Sequence, residues 1–110
     1  MACRHLRGVI APLLLAAALP SIAAEHIDID IRDYRFAPST VRIRVGDTVR
    51  WTNREVRTSH SIYFTGPDSF ESERLFPGEQ WSRRFDTPGR HPYRCGPHPE
   101  MEGSVDVLPD

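Results

Sequence analysis

An all-β sandwich or barrel of short, mainly antiparallel strands is the fold this sequence predicts, and three observations predict it. Apolar residues recur at every second position in several short runs, turn residues punctuate those runs at regular spacing, and no long window carries a helical period. The first run alternates Ile27, Ile29 and Ile31 with Asp28, Asp30 and Arg32, the pattern of a half-buried strand. Val41, Ile43 and Val45 alternate with Arg42 and Arg44, and Gly46-Asp47 supplies a turn before Val49 and Trp51 start the next strand. Ile62 and Phe64 alternate with Ser61 and Tyr63, Trp81 and Phe85 flank Arg83, and Val105 and Val107 close the chain. Pro38, Gly66-Pro67, Pro77-Gly78, Pro88-Gly89 and Gly96-Pro97 mark the turns between them. A helical turn is conceivable only around Asp68 to Leu75. The stretch from Thr65 to Phe76 reads as the longest loop, with Asp68, Glu71 and Glu73 forming either a solvated face or an acidic docking patch. No internal repeat, low-complexity linker or second domain is visible.

Residues 1–24 read as a secretory signal peptide: Arg4 and Arg7 without an acid, an apolar stretch from Val9 to Leu19, then small residues at Ala23 and Ala24. That stretch falls short of the roughly 20 residues that span a bilayer as a helix. Cys3 precedes it, so it is not placed as a lipoprotein cysteine and would leave with the signal. Cleavage after Ala24 leaves residues 25–110 as one small domain, in an export compartment, periplasmic in a cell with an outer membrane. Cleavage after Ala23 instead exposes Ala24-Glu25-His26, a terminus able to wrap Cu(II). The exported part holds 12 arginines, no lysine and 15 acids, a formal charge of −3. It has neither the basic footprint of a nucleic-acid binder nor a polybasic stretch for anionic lipids. It keeps one cysteine, Cys95, in a compartment that promotes disulfides. Such a thiol is buried and inert, paired with another molecule, or held by a metal.

Its neighbourhood decides. Cys95-Gly96-Pro97-His98-Pro99-Glu100-Met101 offers a thiolate, an imidazole and a thioether at three-residue intervals, just before the final strand. Two prolines and a glycine exclude a helix, so the donors must converge from a tight loop. His60, at the start of the Ser61–Phe64 strand, is the candidate fourth donor. His91 reads as a strand residue. Taken singly, Cys95 could be a small buried residue, His60 a loop histidine and Met101 a core side chain. Two imidazoles, one thiolate and a weak thioether together match the blue-copper donor set, soft enough for Cu(I) and with imidazoles for Cu(II). Structural zinc draws its ligands from Cys and His, and a thioether substitutes poorly.

These residues resemble the cupredoxins, and within them are similar to the amicyanins, with plastocyanins and pseudoazurins more distant. Trp51-Thr52-Asn53-Arg54-Glu55 followed by His60, Pro77-Gly78-Glu79, Phe85-Asp86-Thr87-Pro88-Gly89 and Tyr93 carry the resemblance, and Cys-x-x-His-x-x-Met is the amicyanin spacing. It implies a Greek-key β-sandwich of seven to eight strands with one type 1 copper held by His60, Cys95, His98 and Met101. It also implies Ser61 and Asn53 as residues bracing those ligands, and a docking surface of His98, Pro97, Pro99 and Glu100. The chain departs from the pattern in three places. Ser61 stands where Asn usually ties the ligand loops together, Glu55 to His60 is about one residue longer, and Glu100 replaces an apolar side chain.

The function implied is a monomeric electron carrier, not an enzyme, exchanging single electrons through His98 with a transient partner such as a c-type cytochrome or an exported dehydrogenase. A copper-delivery module could use the same ligands. Copper enzymes need further copper sites with histidines beside the blue-copper cysteine, and here Arg94 and Gly96 flank it. A mixed-charge rim of Glu100 and Glu102 with Arg54 and Arg57 would steer association.

Overall fold

Alternation along each strand sends one set of side chains into a shared interior, and two sheets close around it. The computed structural model describes Gly8, Pro12 and residues 23–109, so nearly all of the expected signal segment lies outside the described residues. Nine strands are present among these: β1 (His26–Arg32), β2 (Arg35–Ala37), β3 (Thr40–Arg44), β4 (Thr48–Asn53), β5 (Tyr63–Phe64), β6 (Phe70–Glu71), β7 (Gln80–Arg84), β8 (Gly89–Arg94) and β9 (Glu102–Leu108). One sheet runs β2-β1-β4-β7 and the other β3-β9-β8-β5-β6. The count exceeds the seven or eight expected because the two-residue strands β5 and β6 pair with each other.

Most pairings are antiparallel, but β1 lies parallel to β4 and β3 parallel to β9. The physical reason is a change of sheet. After the β1–β2 hairpin the chain crosses to lay β3 in the second sheet, then returns so that β4 runs alongside β1. Alternation within one strand is blind to this, because it reports which face is buried and not which neighbour is paired.

The interior is filled by Ile29, Ile31, Val49, Trp51, Phe64, Phe85, Tyr93, Val105 and Val107. Trp51 stands edge-on to Phe64 and to Tyr93, at centroid distances of 6.2 and 5.5 Å. Fully burying side chains of this kind contributes roughly 1.5–3 kcal/mol each. No helix forms between Asp68 and Leu75. That segment carries β6 and then a bridge between Leu75 and His60, closed by two backbone hydrogen bonds of 2.7 and 3.0 Å.

The β1–β2 hairpin was not legible in the sequence. Its turn residues Asp33 and Tyr34 both take positive φ, 52° and 54°, the backbone of a tight two-residue turn usually made by Asn-Gly or Asp-Gly. Left-handed backbone costs an L-residue roughly 1–2 kcal/mol, so Tyr34 needs compensating contacts, which the metal centre supplies. The Gly46-Asp47 turn was legible, and Gly46 takes φ 95°.

Asp47 anchors that turn. Its carboxylate accepts the Glu25 N–H at 2.9 Å and the Arg44 N–H at 2.9 Å, which ties the start of β1 to the β3–β4 connection. The Glu25 carbonyl in turn accepts the Thr48 N–H. The Glu25 amide, which a copper chelate at Ala24-Glu25-His26 would have to recruit, is therefore already engaged. The Glu25 N–H bond, then the Arg44 one, holds the Asp47 carboxyl below its ordinary pKa. A depressed pKa contributes stability that is present above the unfolded value, about 3.9, and is lost as pH falls through the folded one. Asp47→Asn should therefore lower the thermal midpoint by an amount that is constant above about pH 5 and shrinks below pH 4. Melting curves of both proteins across pH 2–7 check this, and a difference that does not shrink in acid would contradict it.

Candidate metal centre

The β8–β9 connection is the seven-residue loop Cys95–Met101, and it is drawn tight by its own backbone. The Cys95 N–H donates to the Met101 carbonyl and the Met101 N–H to the His98 carbonyl, both at 2.9 Å. Cys95 and Met101 are buried, His98 is half-buried, and Pro97, Pro99 and Glu100 are exposed. His60 arrives from the other side of the same end of the sandwich. It lies three residues before β5, not in a continuous strand as expected, and the bridge to Leu75 fixes its backbone.

The three donors expected from Cys95, His98 and His60 meet. Cys95 Sγ is 3.5 Å from His60 Nδ1 and 3.6 Å from His98 Nδ1, and the two Nδ1 atoms are 3.2 Å apart. A point equidistant from the three corners lies about 2.0 Å from each, within the range of metal–nitrogen bonds (about 2.0–2.1 Å for zinc). These are the sole three-residue metal-competent group of His, Cys, Asp and Glu among the described residues.

Hydrogen bonding prepares each donor. His60 Nε2 donates to Glu55 Oε1 at 3.2 Å, which leaves Nδ1 as a bare lone pair directed at Cys95 and His98. Glu55 Oε1 also accepts the Tyr34 N–H at 2.9 Å, while the Tyr34 hydroxyl and Thr58 Oγ1 lie 3.1 Å apart. Those bonds offset the strained turn and set the Tyr34 ring edge-on to His98 and His60, at 5.1 and 5.7 Å. Burial pushes the Cys95 thiol up, against the Ser61 N–H that donates to its sulfur. Burial likewise pulls His60 down, with Glu55 opposing. Both shifts favour uncharged donors at the buried side of the site, and a bound cation is what would convert Cys95 to a thiolate.

The surrounding braces are partly those expected. Asn53 is wholly buried. Its Nδ2 donates to the Thr58 and Leu75 carbonyls and its Oδ1 accepts the Glu55 N–H, so it holds the loop carrying Glu55 and His60. Ser61 Oγ accepts the Gly96 N–H at 3.0 Å and donates to Glu71 Oε1 at 2.8 Å, tying the two ligand loops together. A serine alone is shorter than the Asn of the amicyanin pattern, and Glu71 of β6 completes the tie. Asp68, Glu71 and Glu73 are exposed, as a solvated face requires, and Glu71 in addition makes this tie. A side chain at position 96 would collide with both Ser61 Oγ and the Glu71 carboxylate, so the tie requires glycine there. Sequence reasoning missed Glu55, Glu71 and Tyr34 in these roles. Their only signal was the acid and aromatic content of loops whose hydrogen-bond partners lie 5 to 24 residues away.

Comparison with known proteins agrees with this geometry. Residues 23–108 match the family described as copper binding proteins, plastocyanin/azurin family. This chain belongs to it. Amicyanin-alpha of Methylorubrum extorquens is 35% identical over 101 residues, covering 86% of this chain and 84% of the relative. The plastocyanin of Scenedesmus fuscus is 37% identical over 84 residues, covering 66% of this chain and 85% of its own length. A solved reduced amicyanin variant superposes with a TM-score of 0.72 at 30% identity, covering 79% of this chain and 86% of that one. The protein is thus a cupredoxin similar to amicyanins and plastocyanins, with the all-β sandwich of that family and copper as its cofactor. The three converging donors fit that metal, and Met101 lies buried on the same loop.

Ser61→Ala would leave the Gly96 N–H and Glu71 Oε1 without their shared partner. A cost of about 1–3 kcal/mol is expected from the buried donor, read by denaturant unfolding. Glu71→Gln keeps a carbonyl acceptor for Ser61 and should cost well under half as much. Equal losses for the two variants would show that charge, and not the tie, matters at position 71.

Proposed function

We propose that this cupredoxin is an exported single-electron carrier in which His60, Cys95, His98 and Met101 hold one type 1 copper. The observation that carries the reading is the convergence of two imidazole Nδ1 atoms and one thiol sulfur within 3.6 Å of one another, with His60 and Cys95 wholly buried. Copper bound there supplies a one-electron Cu(II)/Cu(I) couple. The chain's own contribution is rigidity. Asn53, Glu55 and the Leu75 bridge fix His60, Ser61 and Glu71 fix the loop of Cys95, and the Cys95–Met101 backbone bond closes that loop. Donors that cannot rearrange suit both oxidation states without large movement, which lowers the reorganisation that electron exchange requires.

His98 is the donor with an exposed edge, among exposed Pro97, Pro99 and Glu100. Tyr34, half exposed beside it, belongs to the same face. A small surface of this kind suits a short-lived redox partner, a c-type cytochrome or an exported dehydrogenase. Export through residues 1–24 to the periplasm, with residues 25–110 as a monomeric carrier, belongs to the same proposal. Retention of the metal separates a carrier from a delivery module. The buried His60 and Cys95 and the closed loop favour retention.

Visible absorption of the protein with Cu(II), beside Cys95→Ala, tests the reading. An intense band in the visible, bleached by reductant, lost in the variant and slow to fade under a chelator, is expected. A colourless protein would overturn the ligand assignment, and a coloured one stripped within seconds would point to delivery instead.

A further inference from the structure

At the opposite end of the sandwich, β7 breaks its own pattern. Trp81 and Arg83 are its two inward, half-buried positions while Gln80, Ser82 and Arg84 are exposed, so a guanidinium occupies a place that the strand would otherwise give to an apolar side chain. The Arg83 guanidinium lies over the Phe64 ring at 4.4 Å and the Phe85 ring at 4.9 Å. Stacking satisfies its faces but not its edge. Nη1 is buried and has no hydrogen-bond partner among the described residues. Burial pulls the pKa of Arg83 down, with the charge of Asp68 opposing, which reflects the cost of desolvating a cation.

Arg83 lines a cavity of about 160 Å³ together with Gly66, Pro67, Asp68, Arg90 and His91. Arg90 makes no ion pair among the described residues, and neither does Asp68 with Arg83. His91 Nε2 donates to the Thr87 carbonyl at 2.9 Å. Two arginines and one aspartate thus line one small cavity. Guanidinium forks match the paired oxygens of a tetrahedral anion.

We propose that this cavity is a binding site for a small inorganic oxyanion of the phosphate or sulfate class, held by Arg83 and Arg90. The site stands apart from the metal centre. Arg90 and Cys95 are five residues apart along β8 and its end, roughly 17 Å at strand rise, so an anion bound there does not touch the copper donors. What it supplies is a directly paired anion for Arg83, which makes no ion pair among the described residues. Because it joins β7, β8 and the loop after β5, its binding also stabilises the folded state.

Nuclear magnetic resonance of the full chain titrated with sodium phosphate, against sodium chloride at matched ionic strength, tests the site. Saturable shifts of the Arg83 Nε–Hε signal and of the Gly66 and Thr87 amides are expected with phosphate and not with chloride. Arg83→Met, which keeps the stacked stem, should abolish them, and Arg90→Gln should weaken binding about tenfold. Arg90 is exposed, so its variant decides the matter even where Arg83→Met fails to fold. Absence of saturable shifts, equal shifts in Arg83→Met, unchanged affinity in Arg90→Gln, or binding that appears only in Asp68→Asn would each overturn the proposal. The last would mean that Asp68 fills the cavity itself. Colour at Cys95 plays no part in these readouts, so the copper assignment and the anion site fail separately.

Discussion

His60 Nδ1 is a lone pair held in a dry place, and the rest of the site is arranged to keep it there. Glu55 takes the proton on the far nitrogen, Asn53 and Leu75 hold the backbone, and Tyr34 packs an edge against the ring. Without the Glu55 bond the tautomer would be free and either nitrogen could face Cys95. With it, the lone pair meets a thiol and a second imidazole at distances that a shared cation satisfies for all three at once. The demand for a metal is thus written in the hydrogen bonding of an element 35 residues upstream of the cysteine.

That demand explains why the sandwich is irregular where it is. Parallel pairing of β1 with β4 brings the Asp33-Tyr34 turn to the same end as the Glu55 loop, because the two strands run the same way. The unfavourable backbone of Tyr34 is sustained by the Glu55 and Thr58 contacts, an instance of local strain gathered at a functional end. The β5–β6 pair, whose Phe64 enters the core, also puts Glu71 within reach of Ser61. At the far end, the inward Arg83 is a second break with the apolar pattern, and breaks of this kind mark positions where stability was not the only requirement.

Similarity to amicyanins and plastocyanins places this chain in its family, but the braces around the metal are its own combination. Ser61, Gly96 and Glu71 form one unit: the short hydroxyl needs the carboxylate, and the carboxylate needs the missing side chain at 96. No one of the three is intelligible singly. Glu100, where an apolar residue is usual, sits exposed beside His98 and changes the charge of the face that a partner would meet.

Much was decided by residue order alone. Period-2 alternation named the principal strands, because each has one buried face. The seven residues from Cys95 to Met101 named three donors, because prolines and a glycine leave a tight loop no other course than to bring them near one another. His60 was identifiable by residue type and by resemblance. Tertiary structure alone decided which strands pair in parallel, since alternation reports faces and not neighbours. It alone revealed β2, whose turn lacks the usual residues, and the tautomer of His60, the role of Glu71 and the exposed position of Tyr34. Each of these depends on contacts between residues far apart in the chain, and no local pattern of polarity encodes which distant partner a carboxylate or a ring will meet.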